Sequence, residues 1–177
     1  MDTSYSPVAE LNALKELQDE LGFGNYADGF GLFAYGDTSW VDTWSQAPEF
    51  AARLVPFARA NASGSFYALW RLDDRTDLAT LPVVVFGDEG GMHVVARDLR
   101  ELFRLLGFDA EIRVFWDCAY FYREPGERHT DGHSAYAAWL DRRFGLLPAD
   151  APDALVAAAQ EELGRRFEDW AEPWLAG

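Results

Sequence analysis

The stretch Pro82-Val83-Val84-Val85-Phe86-Gly87-Asp88-Glu89-Gly90-Gly91-Met92-His93-Val94-Val95-Ala96-Arg97 decides the fold. Two short runs rich in β-branched residues flank a five-residue segment of glycine and acid. Glycine permits the left-handed backbone of a tight reversal, so the pattern predicts a β-hairpin with strands over 82–86 and 92–97. Asp98 follows at once and can cap a helix, with Glu101 three residues on as in a capping box. Leu99, Leu102, Phe103 and Leu106 form that helix's apolar face, and Gly107 is expected to supply a left-handed stop.

Upstream, residues 53–60 and 65–71 read as another pair of strands around the turn Asn61-Ala62-Ser63-Gly64. Asp73, Asp74 and Asp77 mark a solvated loop between the two hairpins. Nearer the N-terminus, Val8, Leu11, Leu14, Leu17 and Leu21 recur at helical spacing, and Gly22 and Gly24 end that helix. Residues 29–35 read as a short buried strand, and residues 36–50 as a turn-rich connection. Downstream, residues 111–116 suggest a further strand, with 120–122 extending or following it. Residues 134–144 and 153–170 have apolar stripes of helical period. Helix, antiparallel strands, then helices is an α+β order, with a mostly antiparallel or mixed sheet flanked by helices at both ends. All 177 residues are expected to form one domain.

Nearly half the residues are apolar and the formal charge is −15. Residues 1–50 hold nine acids against one base, Lys15, and residues 150–177 hold seven against two, whereas residues 51–149 are nearly neutral. This charge argues against nucleic acid and anionic lipid, whose phosphates need Lys and Arg, and would draw in a basic protein. It also serves solubility. One cysteine, Cys118, excludes an internal disulfide and fits a reducing compartment. The opening Met-Asp-Thr-Ser-Tyr-Ser-Pro lacks the basic and apolar segments of a secretory signal, and no apolar run approaches a bilayer span. The expectation is a cytoplasmic protein.

The chemistry-bearing residues favour binding over catalysis. His129-Thr130-Asp131-Gly132-His133 places two imidazoles and a carboxylate at alternate positions, the best metal candidate and the basis of an alternative reading as a metal-dependent hydrolase. No further Cys or His lies nearby to complete a shell, and Asp131 reads more simply as a helix cap. Cys118, among aromatics, reads as a small core residue rather than a nucleophile. Ser63-Gly64-Ser65 is a turn, not a nucleophile elbow. The glycines near 22–31 and 87–91 match no phosphate-binding pattern. No catalytic residue, cofactor or metal is therefore expected. Trp40 and Trp44 sit in a polar connection beside Asp37 and Asp42, the composition of an interface anchor. Alternatively that connection folds back and buries both rings.

The segment from Leu54 to Leu106 resembles the SUKH superfamily. The likeness lies in Leu54-Val55-Pro56-Phe57-Ala58 with the Asn61–Tyr67 turn and strand, in Leu81-Pro82-Val83-Val84-Val85 with its glycine-rich turn and Val94-Val95-Ala96, and in the helix from Asp98 to Leu106. The resemblance implies a mixed sheet flanked by helices, no catalytic apparatus and, for bacterial members, neutralisation of a cognate toxin that is often a nuclease. For fungal members it implies a scaffold or regulatory module in a larger complex. An acidic chain suits a toxin that is basic where it holds phosphate. The expected docking residues are Asp37, Trp40, Asp42 and Trp44 as one patch, and Asp73, Asp74, Asp77, Asp88 and Glu89 as another.

Overall fold

A computed structural model describes residues 4–175. The strands β2 (Leu54–Arg59), β3 (Phe66–Trp70), β4 (Val83–Phe86) and β5 (Met92–Ala96) form an antiparallel meander. A two-residue strand β1 (Gly31–Leu32) adds to the β2 edge. The sheet order is therefore the chain order, β1-β2-β3-β4-β5, and every pairing is antiparallel.

Helices cover both faces. One face of the sheet carries Tyr67 and Leu69 of β3 and Val83 and Val85 of β4. Against it pack α1 (Ala9–Leu21), α3 (Leu99–Leu106) and α4 (His133–Phe144). The opposite face carries Phe66, Ala68 and Trp70 of β3 and Val84 and Phe86 of β4. It receives Phe50 of the short helix α2 (Pro48–Ala52) and Ala159, Phe167 and Ala171 of the long helix α5 (Pro152–Leu175). All residues of β3 and β4 are buried. That is why both strands read as continuous apolar runs: neither face of the sheet is solvated. Aromatic pairs fill the α5 side, with Phe66 stacked on Phe86 at 4.9 Å and Trp70 edge-on to Phe167 at 5.1 Å.

Several boundaries depart from expectation for physical reasons. The strand expected over 29–35 pairs regularly only at Gly31–Leu32. The register of β2 slips between Pro56 and Ala58, a bulge where proline's missing N–H is tolerated. Beyond it, Phe33 and Gly36 donate single backbone bonds to Phe57 and Pro56 instead of continuing a ladder. Residues 36–50 contain a 3₁₀ turn at Thr38–Val41 and the start of α2, which runs on to Ala52. Asp98 caps α3 by accepting from the Glu101 N–H, while the Glu101 carboxylate reaches back to the Arg97 N–H, one residue earlier than a capping box requires. Gly107 is not left-handed (φ −65°); Asp109 is (φ 59°). Gly107 is small for another reason: a Cβ there would lie 2.6 Å from Pro148. The strands β6 (Ile112–Val114) and β7 (Ala119–Phe121) pair with each other as a separate hairpin. The last helix runs past Trp170 to Leu175. Among the described residues no helix is long and apolar enough to cross a membrane.

Phe86 joins the aromatic layer to the sheet, touching Trp44, Phe50, Phe66 and Phe167. Phe86→Ala is expected to cost about 3–5 kcal/mol of stability, read as a lowered midpoint in urea at unchanged slope.

Candidate protein-docking surface

With both faces of the sheet covered, its turn ends are the exposed backbone nearest the core. The registers Phe66↔Phe86 and Phe86↔Met92 bring the β2–β3 turn and the β4–β5 turn to the same end. Asn61 organises the first: its Oδ1 accepts from the N–H groups of Gly64 and Ser65, and its Nδ2 donates to the Ile112 carbonyl of β6 at 3.0 Å. Ser63 and Ser65 donate to Asp88 at 2.9 and 2.8 Å, tying the two turns together. The second turn has glycine where it needs it. Gly91 has φ 89°, and a Cβ there would sit 2.1 Å from the Phe115 carbonyl oxygen.

Between these turns and the β6–β7 hairpin lies a cleft of about 440 Å³. Asp28, Asp88, Glu89, Glu111 and Glu127 line it, against the single base Arg113. Phe115 and Tyr122 add apolar wall. The Asp28 carboxyl is held above its ordinary value of 3.8, first by burial, then by the charges of Glu111, Asp109 and Glu127, with Arg123 opposing. The cleft thus carries uncompensated negative charge, the arrangement that attracts a cation.

The predicted residues divide between the two ends of the sheet. Asp37 caps the 3₁₀ turn by accepting from the Ser39 N–H and hydroxyl. Trp40 lies flat on Phe33 at 4.4 Å, and Trp44 meets Phe86 edge-on at 5.2 Å. Both indoles are half-buried, combining the two readings open to them: each packs one side on the core and shows the other to solvent. A shallow groove of about 240 Å³ places Trp40 and Trp44 beside Asp88. Asp42 is exposed on the same connection, and Glu89 is exposed beside Asp88. Asp73, Asp74 and Asp77 do not join them. They occupy the β3–β4 loop at the opposite end of the sheet, about 15 Å away along strands rising roughly 3.4 Å per residue. They are also partly neutralised: Arg75 pulls the Asp73 carboxyl down to about 2, and Arg53 bonds Asp74 at 2.9 Å. The second expected patch is therefore two separate groups.

Sequence reasoning missed Asp28, Glu111 and Glu127, which converge only through the fold. It also missed Phe115 and Trp116, whose exposures are 47% and 81%. A signal existed for one of the two: in the strand expected over 111–116, adjacent residues cannot both face inward.

The histidines belong to a different structure. His129 and His133 meet Asp109, not Asp131, with potential ligand atoms within 4.8 Å of one another. Asp131 is exposed, 4.0 Å from Arg128, and caps nothing; Gly132 precedes α4 instead. The buried Asp109 carboxylate accepts from the Asp28 N–H, the Thr130 N–H and His129 Nδ1 at 2.9, 2.7 and 3.0 Å. His133 donates Nε2–H to the Gly107 carbonyl at 2.9 Å. The two rings stack at 3.9 Å, 8° from parallel. Imidazole lone pairs lie in the ring plane, so parallel stacked rings do not aim at one ion. Asp109, already saturated with donors, reads as a knot joining residues 28, 129 and 130, with His133 tied separately to Gly107, rather than as a metal ligand. Cys118 is exposed, not a core residue. Its thiol is pushed up by local desolvation and the Asp117 charge, opposite to the activation of a nucleophile.

No protein-family model, curated protein or solved structure matches the chain.

A carboxyl whose folded pKa is raised opposes folding when ionised. The penalty is absent below the unfolded pKa and complete above the folded one. Asp28→Asn is therefore expected to raise the thermal midpoint at neutral pH, the gain disappearing as the pH falls below 3.8 in a melting series. Asp109→Ala strips the acceptor from two backbone N–H groups and is expected to cost about 2–4 kcal/mol in denaturant unfolding. Stoichiometric zinc should leave the wild-type midpoint unchanged.

Proposed function

We propose that this chain is a non-catalytic binding protein of the cytoplasm that covers the working surface of a basic protein, in the manner of a bacterial immunity protein neutralising its cognate toxin. The observation that carries the reading is the acidic and aromatic surface around the β4–β5 turn. There Asp28, Asp88, Glu89, Glu111 and Glu127 face one base, and Trp40 and Trp44 border the same turn. Charge of one sign in a concave site speeds encounter with a partner of opposite sign and discourages wrong partners. A nuclease presents such a basic groove where it holds phosphate, and an array of carboxylates can occupy it as phosphates do. The resemblance of Leu54–Leu106 to the SUKH superfamily supports the same mode. So does the state of the reactive side chains, since both histidines of the knot are engaged in packing bonds and the thiol is deactivated.

Co-expression with the product of the adjacent gene tests the proposal. Protection of the host from a toxic neighbour, and a purified complex that weakens between about 0.05 and about 0.5 M salt, are expected. Glu89→Lys, at an exposed side chain, should slow association about tenfold or more while leaving the unfolding midpoint in place. Absence of protection, or a complex indifferent to both salt and Glu89→Lys, would refute it.

A further inference from the structure

Trp116 is the most exposed large apolar side chain among the described residues, yet it stands on well-fixed backbone. It sits at the tip of the β6–β7 hairpin, where the Phe115 N–H donates to the Cys118 carbonyl at 2.8 Å and closes the turn. His93 of β5 donates Nε2–H to the Phe115 carbonyl at 2.7 Å. Phe115 also stacks on Tyr120, and Gly91 permits the backbone of residues 115–116 to press against the β4–β5 turn. The backbone that presents the indole is thus already fixed, so engaging it orders little beyond its own two side-chain torsions.

Trp116 lines one side of a groove of about 610 Å³ between the hairpin tip, β5 and α5. Trp44, Met92 and the buried Val94 and Phe167 supply apolar lining, while the acids Asp117 and Glu168 stand with one base, Arg165, and the further acids Asp88 and Glu89 lie on the adjoining turn. The same hairpin borders the acidic cleft through Phe115, and Trp44 also lines the smaller groove that holds Asp88. The small groove thus links the other two, sharing Trp44 with the large groove and Asp88 with the acidic cleft, and the large groove holds both Trp44 and Trp116.

We infer that the groove between Trp116 and Trp44 is the anchor of the docking surface: it takes a large apolar side chain from a basic protein partner whose flanking Lys or Arg residues meet the surrounding carboxylates. This rests on the proposed binding function and locates its centre. Charge complementarity selects the occupant. A second copy of the chain would set Asp88, Glu89, Asp117 and Glu168 against themselves in a two-fold contact at a net charge of −15 per copy. Tryptophan in a groove rimmed by charge is the composition of an interface centre.

The full-length protein, immobilised and panned against a phage-displayed library of linear peptides, tests this. Selected peptides are expected to combine Lys or Arg with a large apolar residue. Made synthetically and measured by calorimetry, they should bind Trp116→Ala at least about tenfold more weakly than wild type. Since Trp116 is 81% exposed, the variant should unfold at the wild-type midpoint. Basic peptides that bind Trp116→Ala as tightly as wild type but lose affinity with Glu89→Lys would overturn the anchor and leave the binding function standing. Peptides without basic bias would overturn both. Sedimentation showing a dimer that Trp116→Ala dissolves would assign the groove to a second copy, and the inference would fail.

Discussion

Complete burial of β3 and β4 is the constraint on which the rest of this structure depends. Alternate side chains of Phe66–Trp70 and Val83–Phe86 enter two different cores, so apolar helices must close both faces. The chain meets this by placing α1, α3 and α4 on one side and α2 with α5 on the other. A sheet enclosed in this way offers no open face for recognition. What remains accessible is its turns, its edges and whatever the connecting segments build against them.

The cluster at the β4–β5 turn follows from that enclosure. Tight pairing at Phe66↔Phe86 aligns two turns, and the Ser63, Ser65 and Asp88 bonds lock them together. Asn61 then fastens the β6–β7 hairpin alongside. Acids and aromatics far apart in the chain become neighbours on a rigid base. The raised Asp28 carboxyl records the electrostatic cost of assembling them, since like charges and partial burial both disfavour its ionised form. A local penalty of this kind is compensated by the large hydrophobic cores beneath it, and it is relieved when a cation arrives.

Charge along the chain and charge in space tell different stories. Residues 51–149 are nearly neutral by count, yet Asp88, Glu89, Glu111 and Glu127 of the cleft come from them. Several of the balancing arginines are occupied elsewhere: Arg53 and Arg75 pair with Asp74 and Asp73 at the far end of the sheet, and Arg97 pairs with Glu101. Arg113 and Arg123 stay near the cleft and are outnumbered by its acids. Neutrality by count therefore conceals segregation by position, which linear averaging removes.

Local patterns in the sequence were sufficient for the meander of β2 to β5, for α1, and for the Asp98 cap of α3. These features depend on residues within a few positions of one another: apolar period, glycine where the backbone reverses, and a carboxylate beside free N–H groups. Trp40 and Trp44 were legible as candidates for the same reason, although their half-burial was not. Tertiary structure alone decided that Gly107 yields its left-handed role to Asp109, that His129 and His133 join Asp109 instead of Asp131, and that Asp73, Asp74 and Asp77 lie apart from Asp88. It alone brought Asp28, Glu111, Glu127 and Trp116 to one turn. The physical reason is range: backbone preference and hydrophobic period act between near neighbours, whereas the cleft is made by contacts between residues 25 and 51 positions apart, such as those of Ser63 with Asp88 and Asn61 with Ile112.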